Sequence, residues 1–424
     1  FARWVDAFNG SDDNDEDTNC TREPDPDDPQ KYIYHSCASI SFALSVSNPG
    51  DIIRVVGGII DPISGNPIPG FASASYGGFT VNKNITIIGG YTAGFGNQDT
   101  PLNYDSLNTT VVGAAVINGC SEDTDHPLVT GEGPMEVRLE SINVTVGGID
   151  IHSTGVFNVC WPHVADVTLE DVTVYNVLDS GSGINMTGAN NKLTATKTVV
   201  NNNNSGSTGG GIFVGGGSIL DLGAGSVVSN NSAPNGGGIG ASGAATITVG
   251  GGVTITANTG SSNGGGIYAA NSLLSVGSDT FIRDNNGGSG AGIYISGGTN
   301  SVSGATLTGN DATVAGGGIY VASGAPTLEN LEIKQNTAPS GGGAYFNNLS
   351  GGSLSSSDLL SNTASSAGGG YYINGGTGFT ASSLLVQGNS ASQHGGGGYI
   401  TGARSGSTGR RTRGATSPRP KWCS

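Results

Sequence analysis

The chain has 424 residues, of which 76 are glycine and only 11% are charged, with a formal net charge of −16. That length is ample for a sizeable core. The glycine follows no strict triplet and apolar residues recur in register, which excludes collagen and disorder, and the acidic balance argues against nucleic acid as a partner. No apolar run approaches the ~18 residues of a membrane-spanning helix. The sequence opens on Phe1 without Met, as a mature form lacking its signal peptide or a fragment would.

Residues 1–50 read as a leading strand, an acidic loop and a cap. Trp4-Val5-Asp6 is the strand, and nine acidic residues follow between Asp12 and Asp28. Hard cations prefer such oxygen ligands, so Ca²⁺ is the one cofactor this loop suggests. Its spacing fits no EF-hand, and a solvated acidic loop is the favoured reading. Ser39 to Ser47 predicts a short amphipathic helix started by Ser39. Asn48-Pro49-Gly50-Asp51 then turns the chain into the apolar strand Ile52–Gly58.

Residues 51–200 predict irregular strands at Ile85–Ile88, Thr110–Ile117, Val137–Val146, Val167–Val177 and Leu193–Val200, joined by longer loops at Gly119–Gly133 and Gly155–Val164. Long loops on a rigid scaffold are the expected place for a specific site. Residues 201–403 repeat one phrase: Asn, then Ser/Thr and Ala or Gly, then a glycine run, then an apolar residue and an aromatic. The anchoring residues are Asn204, Asn231, Asn258, Asn285, Asn310, Asn336, Asn362 and Asn389, at spacings of 27, 27, 27, 25, 26, 26 and 27. A period of this length signals a solenoid, and about 26 residues hold three short strands and three turns, one coil of a parallel β-helix. The anchoring Asn is expected at a turn, with a left-handed backbone and its amide stacked on the coils above and below.

After each glycine run an inward column reads Ile212, Ile239, Ile267, Ile293, Ile319, Ala344, Tyr371 and Gly398. Strand alternation turns the next residue outward, which predicts a strip of Phe213, Tyr268, Tyr294, Tyr320, Tyr345, Tyr372 and Tyr399 with Gly240 in the second place. The strip reads first as aromatic packing along the solenoid, and alternatively as a flat site for glycans or a neighbouring molecule. An ice-binding face would need threonine columns, and Thr254/Thr256 and Thr306/Thr308 are isolated in the sequence. Residues 404–424 carry six of the sixteen basic residues and no strand alternation, which predicts a disordered basic tail.

These repeats resemble those of the chlamydial polymorphic outer membrane proteins and related β-helix adhesins. Those proteins pair an F-x-x-N element with G-G-A-I. Here Leu359-Leu360-Ser361-Asn362 and Gly368-Gly369-Gly370-Tyr371 take the two places, with Phe replaced by Val, Ile or Leu and Ala by Gly. The resemblance spans about half the chain and implies a right-handed parallel β-helix. The membrane barrel that those adhesins carry after the helix has no counterpart in this sequence.

Cys20, Cys37, Cys120, Cys160 and Cys423 match no zinc motif. The simplest pairing, Cys20–Cys37 and Cys120–Cys160, places the chain in an oxidising compartment, whereas buried free thiols carry no such implication. Nine N-x-Ser/Thr sequons occur, at Asn9, Asn19, Asn84, Asn108, Asn143, Asn185, Asn203, Asn230 and Asn348. That is close to the roughly eight expected by chance, so they are glycosylation candidates only.

Polysaccharide lyases and hydrolases often use this fold, and a hydrolase needs paired carboxylates. Within 201–403 the charges do not recur at one place, and Arg283-Asp284 reads as a surface pair. His163, Asp166, Glu170 and Asp171 lie closer together, with Glu170 and Asp171 on opposite faces if both are on a strand. No catalytic or metal-binding set is assigned. The sequence therefore predicts an all-β, right-handed parallel β-helix of about a dozen coils with an N-terminal cap. Its expected place is extracellular or on the cell surface. Its expected role is structural or adhesive, with end-to-end self-association, glycans as alternative partners, and polysaccharide cleavage as a third reading.

Overall fold

The computed structural model describes residues 2–5, 22–24, 32–34, 38–58, 73–92, 108–118, 135–146, 148–152, 164–178 and 181–402. It is a parallel β-helix in two compact units, residues 1–177 with 184–199, and residues 178–183 with 200–424. Apart from the hairpin of Arg22–Pro24 and Tyr32–Tyr34, every pairing of described strands is parallel and joins one coil to the next. The two units contribute six and seven strands to the longest type of ladder, roughly the expected dozen coils.

In the first unit, Ala2–Val5 pairs with Ile52–Gly58 as the leading strand. The predicted helix runs Ile40–Ser45, and the Ser39 hydroxyl accepts from the Phe42 N–H at 3.1 Å. It buries Ile40, Ala43 and Leu44. Lys83 Nζ closes its other end by donating to the carbonyls of Leu44 and Ser47 at 3.0 and 2.9 Å, where the helix presents unpaired acceptors. The turn into the first coil is fixed by Asn48 N–H donating to Asp51 Oδ2 at 3.0 Å. The helix thus covers the apolar start of the stack.

Three predicted strands are each broken in two. Val137–Val146 becomes Met135–Glu140 and Ile142–Thr145, Val167–Val177 becomes Ala165–Glu170 and Thr173–Tyr175, and Leu193–Val200 becomes Lys192–Thr196 and Val199–Asn201. The breaks fall at Ser141, Asp171 and Lys197, all with positive φ. Apolar alternation resumes across a one-residue corner, so the sequence pattern hides it. The long strand Asn108–Asn118 spans a different corner, the one between Ile142–Thr145 and Ile149–His152. Its first half pairs with Ile142–Thr145 and its second half with Ile149–His152.

Each regular coil of the second unit holds four strands, not three. In one coil they are Ile239–Ala241, Thr246–Val249, Thr254–Thr256 and Thr259–Asn263. The fourth escaped the sequence reading because its inward residues are only Gly or Ala, as at Gly260, Ala312 and Ala338. The other three ladders bury larger aliphatics, such as Ile267, Val276 and Ile282. Small side chains are required because the glycine run closes in there. A Cβ on Gly265 would lie 2.2 Å from the Asn286 carbonyl oxygen. Gly264 takes φ +60° at the corner before it.

The asparagine column is a buried amide ladder. Asn258 Nδ2 donates to Asn285 Oδ1 at 3.0 Å and to the Val228 carbonyl at 2.9 Å. Its Oδ1 accepts from the backbone N–H and the Nδ2 of Asn231, both at 3.0 Å. Two donors and two acceptors are all that a primary amide has, so the group is saturated. The pattern repeats through Asn285, Asn310, Asn336 and Asn362 to Asn389. The first member is Asn203, not Asn204: Asn203 is 1% exposed and donates to Asn231, whereas Asn204 is exposed and accepts from Ser232. In a run of four asparagines the corner falls on Asn202, φ 54°, which sets the ladder one residue earlier than the spacing suggested. The left-handed residue is in every case the one before the ladder Asn: Asn230, Ala257, Asp284, Gly309, Gln335, Ser361 and Gly388.

Asn310→Ala leaves the donors of Asn285 without an acceptor in a buried site, and should cost on the order of 3 kcal/mol in chemical denaturation. Asn204→Ala, on the exposed neighbour, should change stability by less than about 0.5 kcal/mol. Ala257→Gly relieves a left-handed alanine and should stabilise by up to about 1 kcal/mol.

Candidate functional site

The outward tyrosines form a ridge on the second unit. Ring centroids are 5.2 Å apart for Tyr268–Tyr294, 5.3 Å for Tyr294–Tyr320, 5.0 Å for Tyr320–Tyr345 and 4.9 Å for Tyr345–Tyr372, with planes within 17° of parallel. Tyr399 closes the row edge-on, at 5.2 Å and 64° to Tyr372, and His394 stacks on it at 5.2 Å. Strand register puts these rings on one line, because Tyr268, Tyr294, Tyr320, Tyr345, Tyr372 and Tyr399 are successive Cα partners. Phe213 stands outside the stack, since its partner is Gly240 and the segment Thr208-Gly209 fills the space a side chain would need there.

This arrangement decides what the ridge can present. Each interior ring has both faces covered by its neighbours, so only edges and hydroxyls meet solvent. Flat stacking of a sugar on an exposed ring face is therefore closed to Tyr294, Tyr320 and Tyr345. Burial pushes the hydroxyls of Tyr294, Tyr320 and Tyr345 above their usual value of 10, with an added push from neighbouring tyrosines. They stay protonated donors at neutral pH. A polar row runs beside them: Asn374 Nδ2 donates to Asn347 Oδ1 at 3.0 Å, Thr401 Oγ1 donates to Asn374 Oδ1 at 3.2 Å, and the hydroxyls of Tyr372 and Thr401 are 3.3 Å apart.

Inside the same strands, Tyr371 is 8% exposed and stands in the apolar column. Its ring fills the space of the next coil's Gly398, where a Cβ would lie 2.3 Å from Tyr371 Cζ. A large inward ring is thus matched by a residue with no side chain.

Two further outward columns were not legible in the sequence, because their members are scattered Ser and Thr. One joins Thr248, Ser275, Ser301, Thr327, Ser353 and Thr380. The other joins Thr259, Asn286, Asp311, Thr337, Thr363 and Ser390, each directly after a ladder asparagine. Thr254 and Thr306 do share a column, but Phe281 separates them.

In the first unit Glu140, Glu170 and Asp166 are tied into ion pairs. Arg138 Nη2 reaches Glu170 at 2.5 Å and Glu140 at 3.0 Å, and Lys197 reaches Glu170 at 3.5 Å. The hydrogen bond from Arg138 holds the Glu170 carboxyl below its ordinary value of 4.5 against the opposing effect of burial. A general acid needs the opposite shift. Asp171 sits at the corner rather than on the strand, and accepts from Ser141 Oγ at 3.3 Å. Asp166 pairs with Lys192 at 3.8 Å. Arg283 and Asp284 form the expected surface pair at 3.2 Å.

Among the described residues no group of three or more His, Cys, Asp or Glu is placed to hold a metal ion, and no helix is long and apolar enough to cross a membrane. The calcium expectation rests on the acidic loop between Asp12 and Asp28, which lies outside the described residues except for Arg22–Pro24. Cys20, Cys37, Cys120, Cys160, Cys423, His163, Asn9, Asn19 and the basic tail lie outside them entirely. Of the other sequons, Asn84, Asn230 and Asn348 are exposed and Asn143 is half-buried. Asn185 donates to Asp150 at 2.8 Å. Asn108 opens the strand Asn108–Asn118. Asn203 is excluded as a glycan carrier in the folded chain, because its Nδ2 is buried in the ladder.

The family model for the right-handed β-helix region matches residues 154–338. This gives the hand of the solenoid described above. No curated protein and no solved structure matches the chain.

Glu170→Gln tests the ion-pair cluster. A carboxylate with a lowered folded pKa contributes stability above its unfolded pKa and loses it as pH falls through the folded value. The variant should be less stable than the parent at pH 7, by less than about 1 kcal/mol for so exposed a pair. The gap should close as melting temperatures are measured at successively lower pH below 4.5.

Proposed function

We propose that the chain is an extracellular structural and adhesive solenoid, on the cell surface or in a fibre. The observation that carries this reading is the regularity of the second unit's outward columns. They are built mainly from Tyr, Ser, Thr and Asn at one residue per coil, with few charges; Arg283 and Lys334 are paired locally with Asp284 and Glu332, and Asp311 stands in one column as an acidic member. Charge-poor columns at the coil repeat of about 4.8 Å suit contact with another extended, repeating surface. In a filament, the end coil of one copy would continue the parallel ladders of the next, a head-to-tail contact that does not close on itself. Electron microscopy of the native secreted protein tests this. Regular filaments are the expected result, and isolated single particles at all concentrations would overturn the fibre form.

A second reading, a monomeric glycan-binding adhesin, is favoured by the tyrosine hydroxyls lying beside the Asn347, Asn374 and Thr401 row. Binding would then be edge-on and hydrogen-bonded rather than by stacking. Under that reading Tyr345→Phe, which keeps the ring and removes one hydroxyl, should weaken retention on an insoluble neutral polysaccharide. Unchanged retention would count against the ridge as the binding strip.

A further inference from the structure

We propose that the tyrosine ridge is a site of oxidative cross-linking, at which Tyr372 and Tyr399 of consecutive coils are coupled through their rings by a peroxide-dependent oxidant. The inference rests on the ring geometry and stands whether or not the chain forms fibres.

Six phenols in unbroken contact are an uncommon concentration of one oxidisable group. Five centroid separations of 4.9 to 5.3 Å let an electron vacancy created on any ring be shared with the next. All six tyrosines are half-buried, so an oxidant in solution reaches the row without unfolding it. The Tyr372 hydroxyl lies 3.3 Å from Thr401 Oγ1, a polar neighbour through which its proton can pass to solvent on oxidation.

The geometry also selects the coupling pair. Tyrosyl radicals couple through the carbons beside the hydroxyl-bearing carbon. In the four near-parallel pairs the rings lie face to face, and a bond lying in the plane of both rings needs one of them to leave the stack; every ring in these pairs except Tyr268 has a tyrosine on both sides. Tyr372 and Tyr399 are inclined at 64°, so the edge of one ring approaches the other. Of the two end rings, Tyr268 lies flat on its neighbour whereas Tyr399 is already inclined, and it is backed by the exposed His394 rather than by another tyrosine. A vacancy that wanders along the row is therefore trapped where a bond can form.

The chemistry balances. Each phenol gives up one electron and its hydroxyl proton. The two radicals form one carbon–carbon bond, and the hydrogen displaced from each coupling carbon restores a hydroxyl. One hydrogen peroxide accepts the two electrons and two protons and becomes two waters. The product is a dityrosine that ties one coil to the next across the ladder.

The test is to treat the full chain with hydrogen peroxide and a haem peroxidase at neutral pH. The monomer fraction is isolated, dityrosine fluorescence is read, and cross-linked peptides are mapped by mass spectrometry. The expected result is a cross-linked peptide, lighter by two hydrogens, joining Tyr372 to Tyr399. It should be lost in Tyr399→Phe and in Tyr372→Phe, each of which keeps the ring stack. Tyr175→Phe, on the half-buried tyrosine of the first unit, should leave it unchanged. The proposal is overturned if no dityrosine forms, if coupling occurs only between chains, or if it involves only tyrosines off the ridge. It is equally overturned if the Phe variants retain the wild-type yield while their circular dichroism matches that of the parent.

Discussion

A buried primary amide must satisfy two donors and two acceptors or lose the free energy of its hydration. In the second unit this constraint has one solution. Each ladder asparagine gives both hydrogens away, one to the asparagine of the next coil and one to a backbone carbonyl of the coil behind, as Asn336 does with Asn362 and Leu307. Its oxygen takes both hydrogens offered by the coil before, as Asn336 does from Asn310. No member can shift along the chain without leaving its neighbours unpaired. The register of every strand in the coil is thereby fixed at one point, and the other ladders inherit it.

The rest of the coil follows from that point. A corner is needed immediately before each asparagine, and the chain accepts a left-handed Ala257, Gln335 or Ser361 to make it. Glycines let the next stretch of backbone approach the coil above, so the fourth strand buries only small residues, Gly, Ala and Ser289. With the register set, like side chains fall on like side chains. The inward isoleucines become a continuous core, and the outward tyrosines become a stack. The ridge is thus a consequence of the ladder, and its chemistry depends on how the rings stack rather than on any one tyrosine.

The architecture was legible because the period is carried by residues whose physical roles are distinct: a buried amide, a run without side chains, an inward aliphatic and an outward aromatic. Legibility failed where those roles blurred. The four consecutive asparagines from Asn201 to Asn204 offer four candidates for one buried place, and only the corner at Asn202 decides among them. The fourth strand carries no aliphatic signal, because the space it faces is too narrow. At Ser141, Asp171 and Lys197 a single residue turns the chain while the alternation on either side continues, so two strands read as one. The tyrosine column was visible as spacing. That its ring faces are covered, which changes what it can bind, depends on side-chain orientation that no spacing encodes. Glu170 looked like a possible acid from its neighbours in sequence, but its partner Arg138 comes from the coil below, 32 residues away.

The most direct measurement of the central claim is site-resolved amide hydrogen exchange across the second unit. The backbone N–H groups of Asn231, Asn258, Asn285, Asn310, Asn336 and Asn362 each donate to a buried side-chain oxygen of the next coil. If the ladder holds the solenoid together, these amides exchange together, at the slow rate of global unfolding, across all six coils. Exchange of any of them at the rate of an unstructured chain, well ahead of global unfolding, would contradict the account.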